Sequence, residues 1–195
     1  MIISKQFEQS NNYAKFLEIT KGINVIYVKA GDFISVDKDL KIRILWPVLD
    51  FVKENVLNNN SIVAKVQCDG TSILFTGDIE EKAERRIVEL YGETLKSDIL
   101  KVAHHGSKSS SIQSFVDLVR PKMALIGVGA NNTFGHPNDD VVARLKRFAE
   151  RACIELMKWE RLWLNLWKII DLQLKIVTKR NELIKNAVAV YLKTN

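Results

Sequence analysis

The chain is short of histidine, cysteine and proline, and each shortage closes off a reading. Among 195 residues there are three histidines, two cysteines and three prolines. Cys68 and Cys153 stand far apart and outside any C-x-x-C spacing, which excludes a cysteine-rich zinc module or a disulfide framework. Both thiols are expected to be buried or half-buried. No uncharged apolar run approaches the roughly 20 residues needed to cross a bilayer, so no transmembrane segment is expected. The start, MIISKQFEQSNNYAKF, lacks a long apolar stretch and a small-residue cleavage site. It predicts no signal peptide and, by default, a cytoplasmic location. Internal repeats and low-complexity segments are missing too.

Charge of one sign is scarce in most of the chain. The net charge is +6, but residues 151–195 hold nine Lys/Arg and four Asp/Glu, a net of +5. The first 150 residues are therefore nearly balanced, and bulk charge gives no argument for nucleic acid.

What is present reads as alternating strands and helices. Residues 4–20 predict a helix ending near Gly22, and INVIYVKAGDFISV alternates like a strand with a Gly-Asp turn at 31–32. LKIRILWPV, residues 40–48, is a strand stopped by Pro47, and LDFVKENVLNNN reads as a loop. SIVAKVQCDGTSILFTGD predicts a hairpin, because two β-rich runs flank Asp69-Gly70. EEKAERRIVELYG then has helical spacing with Gly92 as its stop. SDILKVA is a strand, SIQSFVDLVR a helix, KMALIGVG a buried strand and VVARLKRFAERA a helix. Strands followed by helix, strand, helix, strand, helix predict an α/β layered architecture with chemistry in loops at strand ends.

The chemistry-bearing residues collect in those loops. Asp78 closes SILFTGD, where Gly77 would let another backbone approach closely. A strand-end carboxylate suits a fixed metal ligand, although Asp78 and Glu81 also have the spacing of a helix-capping box. His104 and His105 follow the apolar run ILKVA, and imidazole is the commonest metal ligand. Neighbours at a strand end point to opposite faces, so one of the pair is expected to bind and the other to orient or touch substrate. Gly106 turns the chain, Ser107 offers a hydroxyl, and Ser109 to Ser111 are candidate caps of the next helix. His136 sits in NNTFGHP, bracketed by glycine and proline, with Asn131 and Asn132 as turn formers. All three histidines and Asp78 thus lie at the ends of neighbouring strands, expected on one rim.

The segments NNNSIVAKV, ILFTGDIEEKAE, ILKVAHHGSKSS, PKMALIGVG and NNTFGHP occur in the order seen in the metallo-β-lactamase domain of the ComEC competence-protein family. The resemblance covers about residues 20–150. It implies a partial αβ/βα four-layer sandwich, with a metal site at the sheet edges. It also implies a metal-dependent nuclease or phosphodiesterase ancestry, with DNA as the ancestral substrate and zinc or manganese as the divalent metal. By that resemblance Asp78, His104 and His105 match metal ligands. His136 matches the GHP histidine, a phosphate contact or proton donor. Asn59, Asn60 and Ser61 stand where many other relatives carry a further ligand histidine. Asn60 and Ser107 are the candidate substrate contacts. The implied chemistry is metal-activated water attacking a phosphodiester.

Two departures qualify that resemblance. The H-x-H-x-D-H motif, which supplies most of the metal shell in such hydrolases, does not occur, and no histidine precedes His104. The chain is expected to be the later part of the domain, to bind metal weakly and to have little activity alone, unless a partner chain supplies ligands. Loss of early strands predicts open sheet edges and self-association. The second departure is residues 155–195, read as a separate, atypical helical tail after a domain over 1–154. Trp159, Trp163 and Trp167 recur at helical spacing among basic residues. The tail reads as an amphipathic DNA- or membrane-binding helix, as a stripe packed on the core, or as a frameshift product. Shifting the frame back one base turns Met157-Lys158 into Glu and Trp159-Glu160 into Gly, toward the family ending R-T-D-x-x-G-x-I; the nucleotide sequence tests this.

Overall fold

A computed structural model describes residues 1–4, 11–35, 38–49, 52–129 and 132–148. The readings made for Asn131, Cys153 and the tail lie outside the described residues.

The Asp69-Gly70 turn organises the centre of the molecule. Both residues adopt positive φ, 47° and 76°, the backbone that a two-residue hairpin turn requires. They join β5 (Val63–Cys68) to β6 (Thr71–Phe75), which pair antiparallel from Cys68↔Thr71 to Ala64↔Phe75. On one side β4 (Leu40–Trp46) and β3 (Phe33–Ser35) extend the sheet antiparallel. On the other, β7 (Ile99–Lys101) and β8 (Met123–Leu125) add in parallel, giving the order β3-β4-β5-β6-β7-β8.

Parallel neighbours need crossovers, and helices supply them. The chain passes through α3 (Glu81–Tyr91) between β6 and β7, and through α4 (Gln113–Val119) between β7 and β8; α5 (Asp139–Lys146) follows β8. Each helix buries an i, i+4 pair: Ala83 and Ile87, Phe115 and Val119, Val141 and Leu145. These pack in one cluster with Leu74, Leu100 and Ala124, successive partners across β6, β7 and β8. Burial of each large member contributes about 1.5–3 kcal/mol. On the other sheet face, Ile42, Val66, Ile73 and Phe75 are only half-buried.

The early chain departs from the expectation drawn from its sequence. Ser4 belongs to β1 (Ile2–Ser4) and not to the expected helix, which among the described residues is α1 (Asn11–Ile19). The strand-like run splits, because β2 (Ile26–Val28) pairs in parallel with β1 in a separate two-stranded sheet, while β3 joins β4. The split falls at a turn closed by Lys29 N donating to Asp32 Oδ2 at 2.8 Å and Ala30 N donating to Pro47 O at 2.7 Å. The loop 49–60 contains a short helix, α2 (Val56–Asn59), whose end is held by the buried Trp46 indole donating to Asn59 O at 2.6 Å. In keeping with the expected partial α/β sandwich, the described residues form the six-stranded sheet with its helices and the two-stranded sheet.

Candidate metal centre

The ends of β6, β7 and β8 lie side by side, because these strands are parallel neighbours. Each is followed by one of the segments singled out from sequence. Asp78 leaves β6, His104 and His105 leave β7, and His136 leaves β8.

The first two segments are tied through Gly77. Its φ is +53°, and a Cβ there would lie 2.6 Å from Ser61 Cβ, so only glycine fits the approach of the 59–62 segment. Its carbonyl accepts from His104 N at 3.1 Å. Asp78 is not consumed by capping: α3 has Glu80 at its N-cap with no side-chain cap, and Glu81 N donates to Ser109 O at 2.8 Å.

The histidine pair does not simply continue the strand. β7 ends at Lys101, and His104 and His105 form a tight turn at φ/ψ of 46°/46° and 54°/21°, followed by Gly106 at φ +77°. Two consecutive left-handed residues replace the alternation expected of an extended strand. The rings part toward two different carboxylates. His104 Nδ1 lies 3.4 Å from Glu80 Oε1, buried and without a hydrogen bond. His105 Nε2 lies 3.8 Å from Asp78 Oδ1, and its Nδ1 is 2.5 Å from Gly127 O. A carbonyl only accepts, so Nδ1 carries a proton, and Nε2 is the ring nitrogen turned toward Asp78.

Glu80 is the residue that sequence reasoning missed. Asn55 Nδ2 donates to its Oε2 at 2.7 Å, Asn59 Nδ2 to the same oxygen at 3.3 Å, and Ser109 Oγ to Oε1 at 3.3 Å. Burial pushes its pKa up, but the Asn55, Asn58 and Ser109 hydrogen bonds and the His104 charge outweigh it and hold the carboxyl below its ordinary value. The only sequence signal was its place two residues after Asp78. Behind the rim, burial lowers the Lys101 ammonium pKa against the opposing charge of Asp78, and Nζ donates to Val102 O at 2.9 Å.

The third segment meets the second in van der Waals contact. A Cβ on Gly106 would lie 2.7 Å from Pro137 Cβ, and Asn138 N donates to Gly106 O at 2.9 Å. Asn132 holds His136 from both sides, donating to its carbonyl at 2.8 Å and accepting from its N–H at 3.0 Å. The His136 ring stacks on Phe134 and lies edge-on to His104, each at a centroid distance of 5.9 Å. Burial and the neighbouring charges of His104 and His105 lower its pKa, which favours the neutral ring.

The two candidate substrate contacts face inward. Asn60 is fully buried, donating to Val52 O and Val56 O at 2.9 Å and accepting from Val52 N at 3.1 Å. Ser107 is buried, with its hydroxyl 3.0 Å from that of Ser109. Both brace the loops; the neighbouring Asn59 and Ser109 reach Glu80. The cap of α4 also differs from the expected serine. Ser111 N and Ile112 N donate to the buried Glu84 carboxylate at 2.6 and 2.8 Å, while the Ser111 hydroxyl is buried without a hydrogen-bond partner.

Nitrogen and oxygen donors of this kind suit zinc or manganese. The described residues nevertheless contain no group of three or more His, Cys, Asp or Glu placed to hold a metal ion. They make two histidine–carboxylate pairs, so the Asp78–His105 pair offers two donors to an ion, part of a metal shell rather than a complete one.

No family model matches the chain. It is 33% identical over 153 residues to ComE operon protein 3 of Bacillus subtilis, covering 77% of this chain and 19% of that protein. It is 37% identical over 89 residues to competence protein ComA of Neisseria gonorrhoeae, covering 46% of this chain and 13% of ComA. Recombination protein 2 of Haemophilus influenzae is 39% identical over 92 residues, 47% of this chain and 11% of that protein. The chain therefore spans less than a fifth of the length of these relatives. Among solved structures, a protein described as a metal-dependent hydrolase from Parabacteroides distasonis overlaps with a TM-score of 0.41 at 15% identity, covering 72% of this chain and 58% of that one. A protein of Thermotoga maritima, described as a zinc-dependent hydrolase of the metallo-β-lactamase superfamily, overlaps with a TM-score of 0.37 at 13% identity, covering 73% and 67%. On its sequence relatives, the chain is related to a segment of the ComEC-type competence proteins.

Proposed function

We propose that this chain carries one half of a metal-dependent phosphodiesterase site of nuclease type and is not itself a competent hydrolase. The observation that carries the reading is the delivery of Asp78, His104, His105 and His136 by three adjacent strand ends to one rim. Asp78 and the Nε2 of His105 are the donors offered to one divalent ion, zinc or manganese. Its chemistry when bound would be polarisation of a phosphodiester and of its attacking water. His136, fixed by Asn132, is the phosphate contact or proton donor. The role of Glu80 is to orient His104. Further ligands must come from elsewhere, and a second polypeptide is one source. DNA is the substrate class, in keeping with the competence proteins to which the chain is related.

Calorimetric titration of the full chain with zinc or manganese tests the reading, alongside cleavage of a labelled single-stranded oligonucleotide. One weakly held ion, abolished by Asp78→Ala, and no cleavage are expected. A tight two-metal isotherm, or turnover by the chain alone, would overturn it.

A further inference from the structure

The opposite rim of the sheet has its own chemistry. Residues Ser72, Asp98 and Lys122 stand at the beginnings of β6, β7 and β8, whereas the histidine segments follow their ends. A strand of five residues separates the two rims by roughly 15 Å.

On this rim the core-facing side of the sheet changes character. Moving outward, Leu74 gives way to Ser72 on β6, Val63 to Lys65 and Gln67 on β5, and Leu45 to Arg43 on β4. Arg43 and Lys65 are direct cross-strand partners, a like-charge pairing that opposes folding unless an anion offsets it. They line a cleft of about 500 Å³ roofed by the 3₁₀ turn Gly92–Leu95.

Two cations of the cleft have positioning contacts. Lys65 Nζ donates to Thr94 O at 2.8 Å and Lys96 O at 2.6 Å, and burial lowers its pKa. The Arg43 guanidinium sits 5.9 Å from the Tyr91 ring centroid. The two carboxylates of the cleft are engaged with other cations: Glu93 binds Arg120 at 3.2 Å and Asp98 binds Lys122 at 2.8 Å. Among the described residues, Arg43, Lys65 and Lys96 have no carboxylate at ion-pair distance.

We propose that this cleft is a second ligand site, separate from the histidine rim, which binds a phosphoryl group through Arg43, Lys65 and Lys96. A compact, multiply charged oxyanion matches three cations lining one cleft, of which Lys65 is held by carbonyls and Arg43 lies beside a ring. The cleft needs no metal and does not depend on the hydrolase reading of the other rim.

Pyrophosphate and an eight-nucleotide single-stranded DNA without terminal phosphates are the two probes, titrated against the full chain in EDTA. Arg43→Gln combined with Lys96→Gln should weaken binding at least about tenfold, with thermal unfolding not lowered, since the Arg43–Lys65 repulsion is relieved, while Asp78→Ala binds like wild type. Both replaced side chains are exposed, and Lys96→Gln alone gives a second reading should the pair fail to fold. Binding of pyrophosphate alone assigns the cleft to free or terminal phosphate; binding of the oligonucleotide assigns it to the diester backbone. The proposal is overturned if neither probe binds, if the cleft variants bind as wild type does, or if only Asp78→Ala loses binding.

Discussion

Replacing Glu84 with glutamine should remove a pH dependence built into the support of the histidine loop. Glu84 is fully buried on α3 and accepts hydrogen bonds from Ser111 N and Ile112 N at the start of α4. Burial outweighs those bonds and the nearby Arg144 charge, raising its pKa from 4.5 to about 7. Between those two values the folded protein holds a proton that the unfolded chain has released, so stability falls as pH rises. The contribution of Glu84 is complete below about 4.5 and lost above about 7. A rise of about 2.5 pH units at about 1.4 kcal/mol each is about 3–4 kcal/mol. Glutamine keeps a carbonyl acceptor and does not titrate. Urea unfolding followed by circular dichroism from pH 4 to pH 8 should therefore show wild type losing stability relative to Glu84→Gln by about 3 kcal/mol. A difference that stays flat, or changes in the opposite direction, would refute the reasoning.

Gly106→Ala should destabilise the chain by about 2 kcal/mol, since it combines a left-handed backbone with a new contact against Pro137. Thermal unfolding measures the loss, and the His136 ring resonances should shift with it; neutrality would show that the two loops are not in contact. Leu74→Ala removes a fully buried side chain from the cluster shared by α3, α4 and the sheet. It should cost about 2–5 kcal/mol by urea midpoint, whereas a loss under about 1 kcal/mol would place that face outside the core.

The parts of the fold legible in the sequence were those set by local chemistry. Asp69-Gly70 supplies the backbone of a tight hairpin, and the Leu74, Leu100 and Ala124 strands alternate with helices carrying i, i+4 apolar pairs. Position along one rim follows from strand order, so Asp78, His104, His105 and His136 could be grouped in advance. The unreadable parts are those decided by distant partners. Ile2–Ser4 pairs with Ile26–Val28, and nothing in the periodicity of 4–20 reveals that pairing. The α4 cap was sought among Ser109 to Ser111, yet the oxygen comes from Glu84, 27 residues before Ser111. Glu80 looked like an ordinary helix-start acid, because its contacts with Asn55, Asn59, His104 and Ser109 come from other segments of the chain. Asn60 and Ser107 had the right polarity for a ligand, but their hydrogen bonds run inward to neighbouring backbone and hydroxyl groups.

The left-handed backbone of His104 and His105 has an evolutionary corollary. Glycine and asparagine occupy such positions more comfortably than most residues, by up to about 1–2 kcal/mol at each. A library randomised at 104 and 105 and selected for stability alone should drift toward Gly and Asn and discard both imidazoles. Selection for ligand binding should restore them at a cost in melting temperature. Comparison of the two selections would thus separate what the turn asks of positions 104 and 105 from what a ligand asks of them.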